Sequence, residues 1–318
     1  MYSIHQDLIV TPSPDPLKMS ALHHLVGTSY ILLYVCFMPL YATIVHMFIT
    51  KPAYRKTRCY QIMIQIGVVQ CVSGTCVATA GLVCILGFDP MNIGVLTGQL
   101  MASCLRIETT LSFLLALERL QTIRGRAIPN RIMHATTAFA WMVGSTYFVL
   151  LMTPLCGMVF DLTFFTTKYD YSLPYTVQLQ RAAFVYTIAM SSCTFLLYVV
   201  MVLHIIKVQL YSKHSRMQLQ QKWIFAQAFI RFCSDTTVLS MFHVGPHFLE
   251  RTALLSVVNV IGFMVNNLIL PPLLYVLLSR LVLCSGFVAE GCFQDVEAQN
   301  LLRMKTASTA LIQLCCHM

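Results

Sequence analysis

Ala182–Ile206 reads AAFVYTIAMSSCTFLLYVVMVLHII, 25 consecutive positions without one Asp, Glu, Lys or Arg. A helix rises about 1.5 Å per residue, so about 20 apolar residues cross the roughly 30 Å hydrocarbon core of a bilayer. The stretch is long enough to span and has no charged face to offer water. What flanks it is equally informative. Before it lies the polar segment Asp161–Arg181; after it come Lys207, Lys213, Arg216 and Lys222. An apolar span with a basic cluster on one side is a transmembrane helix with a cytosolic end.

Working outward, six more runs share this character, at about Leu25–Phe48, Tyr60–Leu86, Ile93–Leu117, Ala135–Phe160, Trp223–Val244 and Ala253–Leu278. Gly87–Asn92, containing Asp89 and Pro90, predicts a tight turn between the second and third. Over all 318 residues 57% are hydrophobic and 10% charged, and mean hydropathy is +0.71. Soluble domains carry roughly 25% charged residues, which this chain lacks. The expected fold is an all-α membrane protein, a seven-transmembrane helix bundle. The predicted division is an extracellular N-terminal segment over 1–24, the bundle over 25–278 and a cytosolic tail over 279–318.

Lysine and arginine set the orientation. The loops after runs one, three and five and the tail carry 4, 4, 4 and 3 of them; the N-terminus and the loops after runs two, four and six carry 1, 0, 2 and 1. The 15-to-4 split predicts an extracellular N-terminus and a cytosolic C-terminus at the plasma membrane. The same distribution explains the net charge of +9 without nucleic acid, since no basic stretch is interleaved with aromatics in a polar segment. Most of the 13 cysteines lie inside apolar runs, and no paired C-x-x-C or spaced histidine pattern marks a metal site. No cofactor is expected. The first 20 residues carry no apolar core of signal-peptide type, so the first span is expected to act as an uncleaved anchor. The two halves of the chain do not repeat each other, which argues against inverted-repeat transporters. Paired intramembrane aspartates, a serine–histidine dyad and histidine clusters are all missing, so an enzyme is not expected.

Four charges fall inside apolar runs: Arg106 and Glu108 in the third, Arg231 and Asp235 in the sixth. Charge in hydrocarbon is costly unless paired or hydrated, so such residues are candidates for function by default. Counted from the cytosolic ends, Glu108 lies about 16 Å deep, Arg106 about 20 Å, Arg231 about 12 Å and Asp235 about 18 Å. These depths allow Arg106 to meet Asp235 and Glu108 to meet Arg231, a polar lock between helices three and six. The plainer reading is an architectural ion-pair network that never switches.

Glu118-Arg119 closes the third run at its cytosolic end. An arginine there snorkels and can exchange one carboxylate for another partner, a candidate cytosolic switch; an ordinary interfacial anchor is the plainer alternative. The seventh run ends Asn266-Asn267-Leu268-Ile269-Leu270-Pro271-Pro272-Leu273-Leu274-Tyr275. Pro272 and Tyr275 fit the P-x-x-Y half of the rhodopsin-type signature, and Pro271 stands in its asparagine place. Proline frees a carbonyl and kinks the helix, and the two asparagines one turn upstream can bond the freed groups. Trp141 suits a fourth-helix tryptophan. Other rhodopsin-like features are absent: no cysteine in Asp161–Arg181, no aspartate in the second run, no proline in the sixth. Cys84 and Cys156, both toward the outer face, form the candidate substitute disulfide. A ligand is expected in the outer half of the bundle, with Gln99, Tyr186 and His243 as candidate lining. In the tail, Ser279–Val288 predicts a short interfacial helix, and Cys284, Cys315 and Cys316 are candidate palmitoylation sites.

Several motifs in one order resemble a nematode serpentine receptor of class xa (Srxa), with the Srt family as neighbour. They are Tyr54-Arg55; Cys59-Tyr60-Gln61-Ile62-Met63 leading to Gly67 and Gln70-Cys71; Arg106-Ile107-Glu108 followed by Leu111 through Leu120; Tyr169 through Tyr175; Arg231 through Asp235; and Asn266-Asn267 through Tyr275. The resemblance spans nearly the whole chain. It implies a seven-transmembrane chemosensory receptor of G-protein-coupled type, with a small ligand, a heterotrimeric G protein and the lipid bilayer as partners, and it brings no ligand-binding residues with it. The alternative from a different class is a seven-span transporter or ion channel that uses the intramembrane charges.

Overall fold

The structure, a computed structural model, describes residues 16–52, 58–125, 129–211, 229–230, 232–238, 240–241 and 252–273. Helices α1 (Pro16–Thr50) and α2 (Arg58–Leu86) are followed by a 3-10 turn, Pro90–Asn92, and α3 (Ile93–Ile123). Then come α4 (Asn130–Leu151), strands β1 (Met158–Asp161) and β2 (Thr166–Tyr169), and α5 (Thr176–Tyr211). We call the helical residues at 229–230, 232–238 and 240–241 α6. Helix α7 runs from Ala253 to Met264 and continues through a π-helical turn, Val265–Ile269.

Five of these segments are long and apolar enough to cross a bilayer: Ala21–Thr50, Arg58–Leu86, Pro90–Ile123, Thr176–His204 and Ala253–Leu273. Helix α4, at 22 residues, has the length to cross as well. Large apolar side chains such as Leu25, Met142, Leu203 and Leu254 point outward, as lipid-facing positions require. Two helices outrun their apolar runs: α1 starts at Pro16 rather than Leu25, and α5 continues past Lys207 to Tyr211. The fourth run is the opposite case, since α4 stops at Leu151 and Met158–Phe160, expected in the span, belong to strand β1. Hydropathy marks where the bilayer ends, whereas backbone hydrogen bonding continues into the interface.

In lipid, helices associate by close packing rather than by hydrophobic exclusion, which favours small residues at crossings. The α1–α2 crossing shows this: a Cβ on Gly27 would lie 2.5 Å from the Gly81 carbonyl, and one on Gly81 would lie 2.8 Å from that of Gly27. Ile62, Ile66 and Val69 of α2 pack with Cys104, Ile107, Leu111 and Leu114 of α3. Trp141 donates its indole N–H to Gln65 Oε1 at 2.9 Å and ties α4 to α2. The turn before α3 forms where the sequence places it, and the Asp89 carboxylate accepts from the Gly94 and Val95 amides at 2.8 and 3.1 Å, capping α3.

The chain between α4 and α5, from the end of the fourth apolar run into the polar segment, forms an antiparallel hairpin pairing Met158 with Tyr169 and Asp161 with Thr166. Its turn is set by Asp161, whose carboxylate accepts from the Thr163 amide at 2.9 Å, and by Phe165 in the left-handed region at φ 56°. No disulfide pins it: Cys84 and Cys156, the candidate pair, are both free and buried. Cys84 packs instead with Val26, Tyr30 and Phe165. Phe165, 2% exposed, plugs the hairpin tip into that cluster. At the other end the Tyr147 and Tyr169 hydroxyls share a 2.7 Å hydrogen bond. Between these anchors Thr167 lies so close to α3 that a Cβ on Gly98 would sit 2.3 Å from it, so only glycine permits the approach.

Candidate functional site: a charged cavity under the hairpin

Helices α3, α5, α6 and α7 and the hairpin line a partly open cavity of about 470 Å³. Thr167, Lys168 and Tyr169 of β2 lie at its hairpin end. Met101, Leu105 and Phe263 are among its apolar walls, and Glu108, Asp235, Asn266 and Asn267 line its deep end. Cavities of roughly 300–1,000 Å³ with apolar walls and few polar groups are typical of small-molecule sites.

The deep end is a hydrogen-bonded layer centred on Gln70 of α2, which is fully buried. Gln70 accepts from the Tyr41 hydroxyl of α1 and donates to Glu108 Oε1 of α3, both at 2.5 Å, and to Asn267 Oδ1 of α7 at 3.1 Å. Asn266 donates to the Asp235 carboxylate on α6. The two consecutive asparagines thus serve two different helices, and they sit within the π turn. In that turn the Leu270 amide bonds back to the Val265 carbonyl, five residues away. The prolines at 271 and 272 supply the reason: each lacks an N–H for the carbonyl four residues before it, and its ring crowds that carbonyl. The expected kink is realised as a widened turn. Tyr275 lies outside the described residues.

Arg106 faces the other way. It is 3% exposed, donates from Nη1 to Thr187 Oγ1 of α5 at 2.7 Å, and stands 5.3 Å over the ring of Tyr147 on α4. Its Nε has no hydrogen-bond partner. The Arg106–Asp235 half of the expected lock is therefore not formed. Residues two apart on a helix point in well-separated directions, and here Glu108 takes the α2–α7 side while Arg106 takes the α4–α5 side. Arg231 lies outside the described residues.

The remaining expectations divide similarly. Glu118 and Arg119 do not pair; adjacent helix positions diverge, and Arg119 reaches across to the Met63 sulfur on α2 at 3.9 Å. Gln99 is a strut rather than lining, since its amide donates to the Leu151 carbonyl at 3.0 Å. Tyr186 also lies off the cavity, with its hydroxyl 2.5 Å from Thr110 Oγ1. His243 lies outside the described residues, as do Cys284, Cys315, Cys316 and the rest of the tail. Gln70, Thr187, Tyr147 and the hairpin residues went unread because none is a charge in an apolar run, the signal that did find Arg106, Glu108 and Asp235.

At the hairpin, Lys168 Nζ lies 2.6 Å from Asp161 Oδ2. Partial burial pushes the Asp161 carboxyl upward, but the Lys168 bond and charge and the Thr163 amide outweigh it, so the group ionises below the ordinary carboxylate range. Asp170 is held low too, by hydrogen bonds from the Ser172 hydroxyl and amide.

Squid rhodopsin has the same fold, with a TM-score of 0.62 at 12% identity over 81% of this chain and 77% of that one. No curated protein matches the chain. Residues 13–283 match the family described as serpentine type 7TM GPCR chemoreceptor Srt. This is the family that the sequence motifs placed as neighbour to class xa. The family is one of receptors. The chain is a multi-pass membrane protein and belongs to the Srt family of serpentine seven-transmembrane chemoreceptors of the G-protein-coupled kind.

Proposed function

We propose that this receptor sits in the plasma membrane with its N-terminus outside, admits a small ligand from the hairpin side and signals to a heterotrimeric G protein. The observation that carries the reading is the cavity of about 470 Å³ between the hairpin and the polar layer. Its walls belong to helices that continue toward the basic loops, so an occupant that shifts α6 or α7 alters what those loops present. The 15-to-4 distribution of lysine and arginine supports the orientation. The finer likeness to nematode class xa rests on the motif series alone, on Tyr169 through Tyr175 and Arg231 through Asp235 above all. In this reading Asn266, Asn267 and the proline pair form the pivot, and Arg119 is held on α2 until its cytosolic surroundings change. The test is expression of the full chain in heterologous cells with tags at both ends and a second-messenger readout over a ligand panel. An exposed N-terminal tag, a concealed C-terminal tag and ligand-dependent signalling are expected. Ligand-independent current or flux in reconstituted vesicles would favour a transporter or channel and overturn the reading.

A further inference from the structure

We infer that the cavity takes a small amphiphilic anion, a carboxylate with an apolar body, whose charged head pairs with Arg106. The inference builds on the receptor reading and adds the chemistry of the ligand.

Arg106 is the starting point. A guanidinium presents five N–H donors and keeps its charge under all ordinary conditions. This one lines the cavity, is 3% exposed, and has an unpartnered Nε. Among the described residues no carboxylate pairs with it; its contacts are a neutral hydroxyl, Thr187, and the ring of Tyr147. A hydroxyl and a ring face orient the guanidinium without cancelling its charge. Buried charge without a counter-charge costs several kcal/mol in a low-dielectric interior. The site therefore lacks one anion beside an open volume, and an anionic ligand supplies it.

The surroundings fix where that head lies. The Glu108 and Asp235 carboxylates stand toward α2, α6 and α7, where amides of Gln70 and Asn266 donate to them. Arg106 borders the cavity from the other side of α3, and the head lies there. Met101, Leu105 and Phe263 give the rest of the cavity an apolar lining for the ligand body. A molecule of about ten heavy atoms is well within what such a volume holds. The head also lies near the hairpin's anchor, because Tyr147, beneath Arg106, bonds Tyr169 of β2. Lys168, on the same strand, also lines the mouth, where its charge is met by Asp161.

The deciding experiment is thermal stabilisation of the purified full chain in lipid nanodiscs, with hexanoate, octanoate and benzoate set against the methyl esters, alcohols and amines of the same carbon skeletons. At least one carboxylate is expected to raise the melting temperature while its ester, alcohol and amine do not. Arg106→Gln is expected to weaken the apparent affinity for that carboxylate at least tenfold, and Arg106→Lys to recover part of the loss. The wild-type acid-against-ester comparison decides the matter even where a variant fails to fold. Stabilisation by the amines or neutral analogues instead, equal stabilisation by sodium chloride at matched ionic strength, or none by any carboxylate overturns the inference. The same compounds in the second-messenger assay separate the two claims. Carboxylate binding without signalling keeps the anion site and counts against the receptor reading; signalling to amines alone does the reverse.

Discussion

The two ends of the cavity are built by different forces. At the deep end, Gln70, Glu108, Asn266, Asn267 and Asp235 join α2, α3, α6 and α7 through directed hydrogen bonds, and Tyr41 adds α1. At the hairpin end, β1 and β2 are held by shape: Phe165 in an apolar cluster, Thr167 against a glycine, one tyrosine pair and one ion pair. In the polar layer several groups share one partner, so losing that partner is felt by several helices at once. A packed hairpin at the interface can yield locally and re-form. The comparison teaches that this protein places its cooperative element deep and its yielding element at the mouth.

Removing the hub breaks the comparison at its strongest point. Gln70→Ala removes one hydrogen bond each from Tyr41, Glu108 and Asn267 and is expected to cost about 4 kcal/mol, since each bond contributes roughly 1 kcal/mol and one to a charged group roughly 2. Thermal denaturation of the purified protein should show one global loss, with Gln70→Glu no substitute because it sets a second carboxylate beside Glu108. Phe165→Ala is expected to cost about 3 kcal/mol, but locally. Amide hydrogen exchange should quicken over 158–169 and leave α2 and α3 protected. Equal quickening in α2 would show that the two ends are not independent. The smallest effect belongs to the ion pair. Asp161 ionises below its ordinary value in the folded chain, so Asp161–Lys168 adds stability above about pH 4 and loses it as pH falls below that. With Lys168 half exposed, the contribution stays within about 1 kcal/mol. Asp161→Asn should abolish the loss of hairpin amide protection, relative to intrinsic exchange, that the wild type shows as pH falls below about 4.

What the sequence made legible was whatever lipid punishes. Uncharged runs gave the spans, because backbone and side chains in hydrocarbon obey one dominant rule, and the charges at 106, 108 and 235 stood out against it. What stayed hidden obeys geometry instead. Arg106 and Glu108 were legible as important, but their partners depend on helix rotation, which sends one to Thr187 and the other to Gln70. Gln70 is a neutral amide inside an apolar run and carries no signal until its three neighbours are in place. The hairpin was invisible because its first strand reads as the end of the fourth apolar run and four residues leave no period to count. Gln99 and Tyr186 were misplaced for the same reason: polarity at the right depth does not say which way a side chain turns.

The π turn in α7 has a further consequence, one of phase. A turn closed by a five-residue step accommodates one residue more than regular helix would, so the segment after Leu270 is out of step with the segment before Val265. Were the same residues wound as regular helix, everything beyond the turn would rotate by about 100° about the helix axis, and the proline pair would face a different neighbour. Deleting a single residue within 265–269 would instead close a regular turn and leave the end of the helix facing nearly as it does now. In α7, the winding across five positions is itself a determinant of which surface the end of the helix shows.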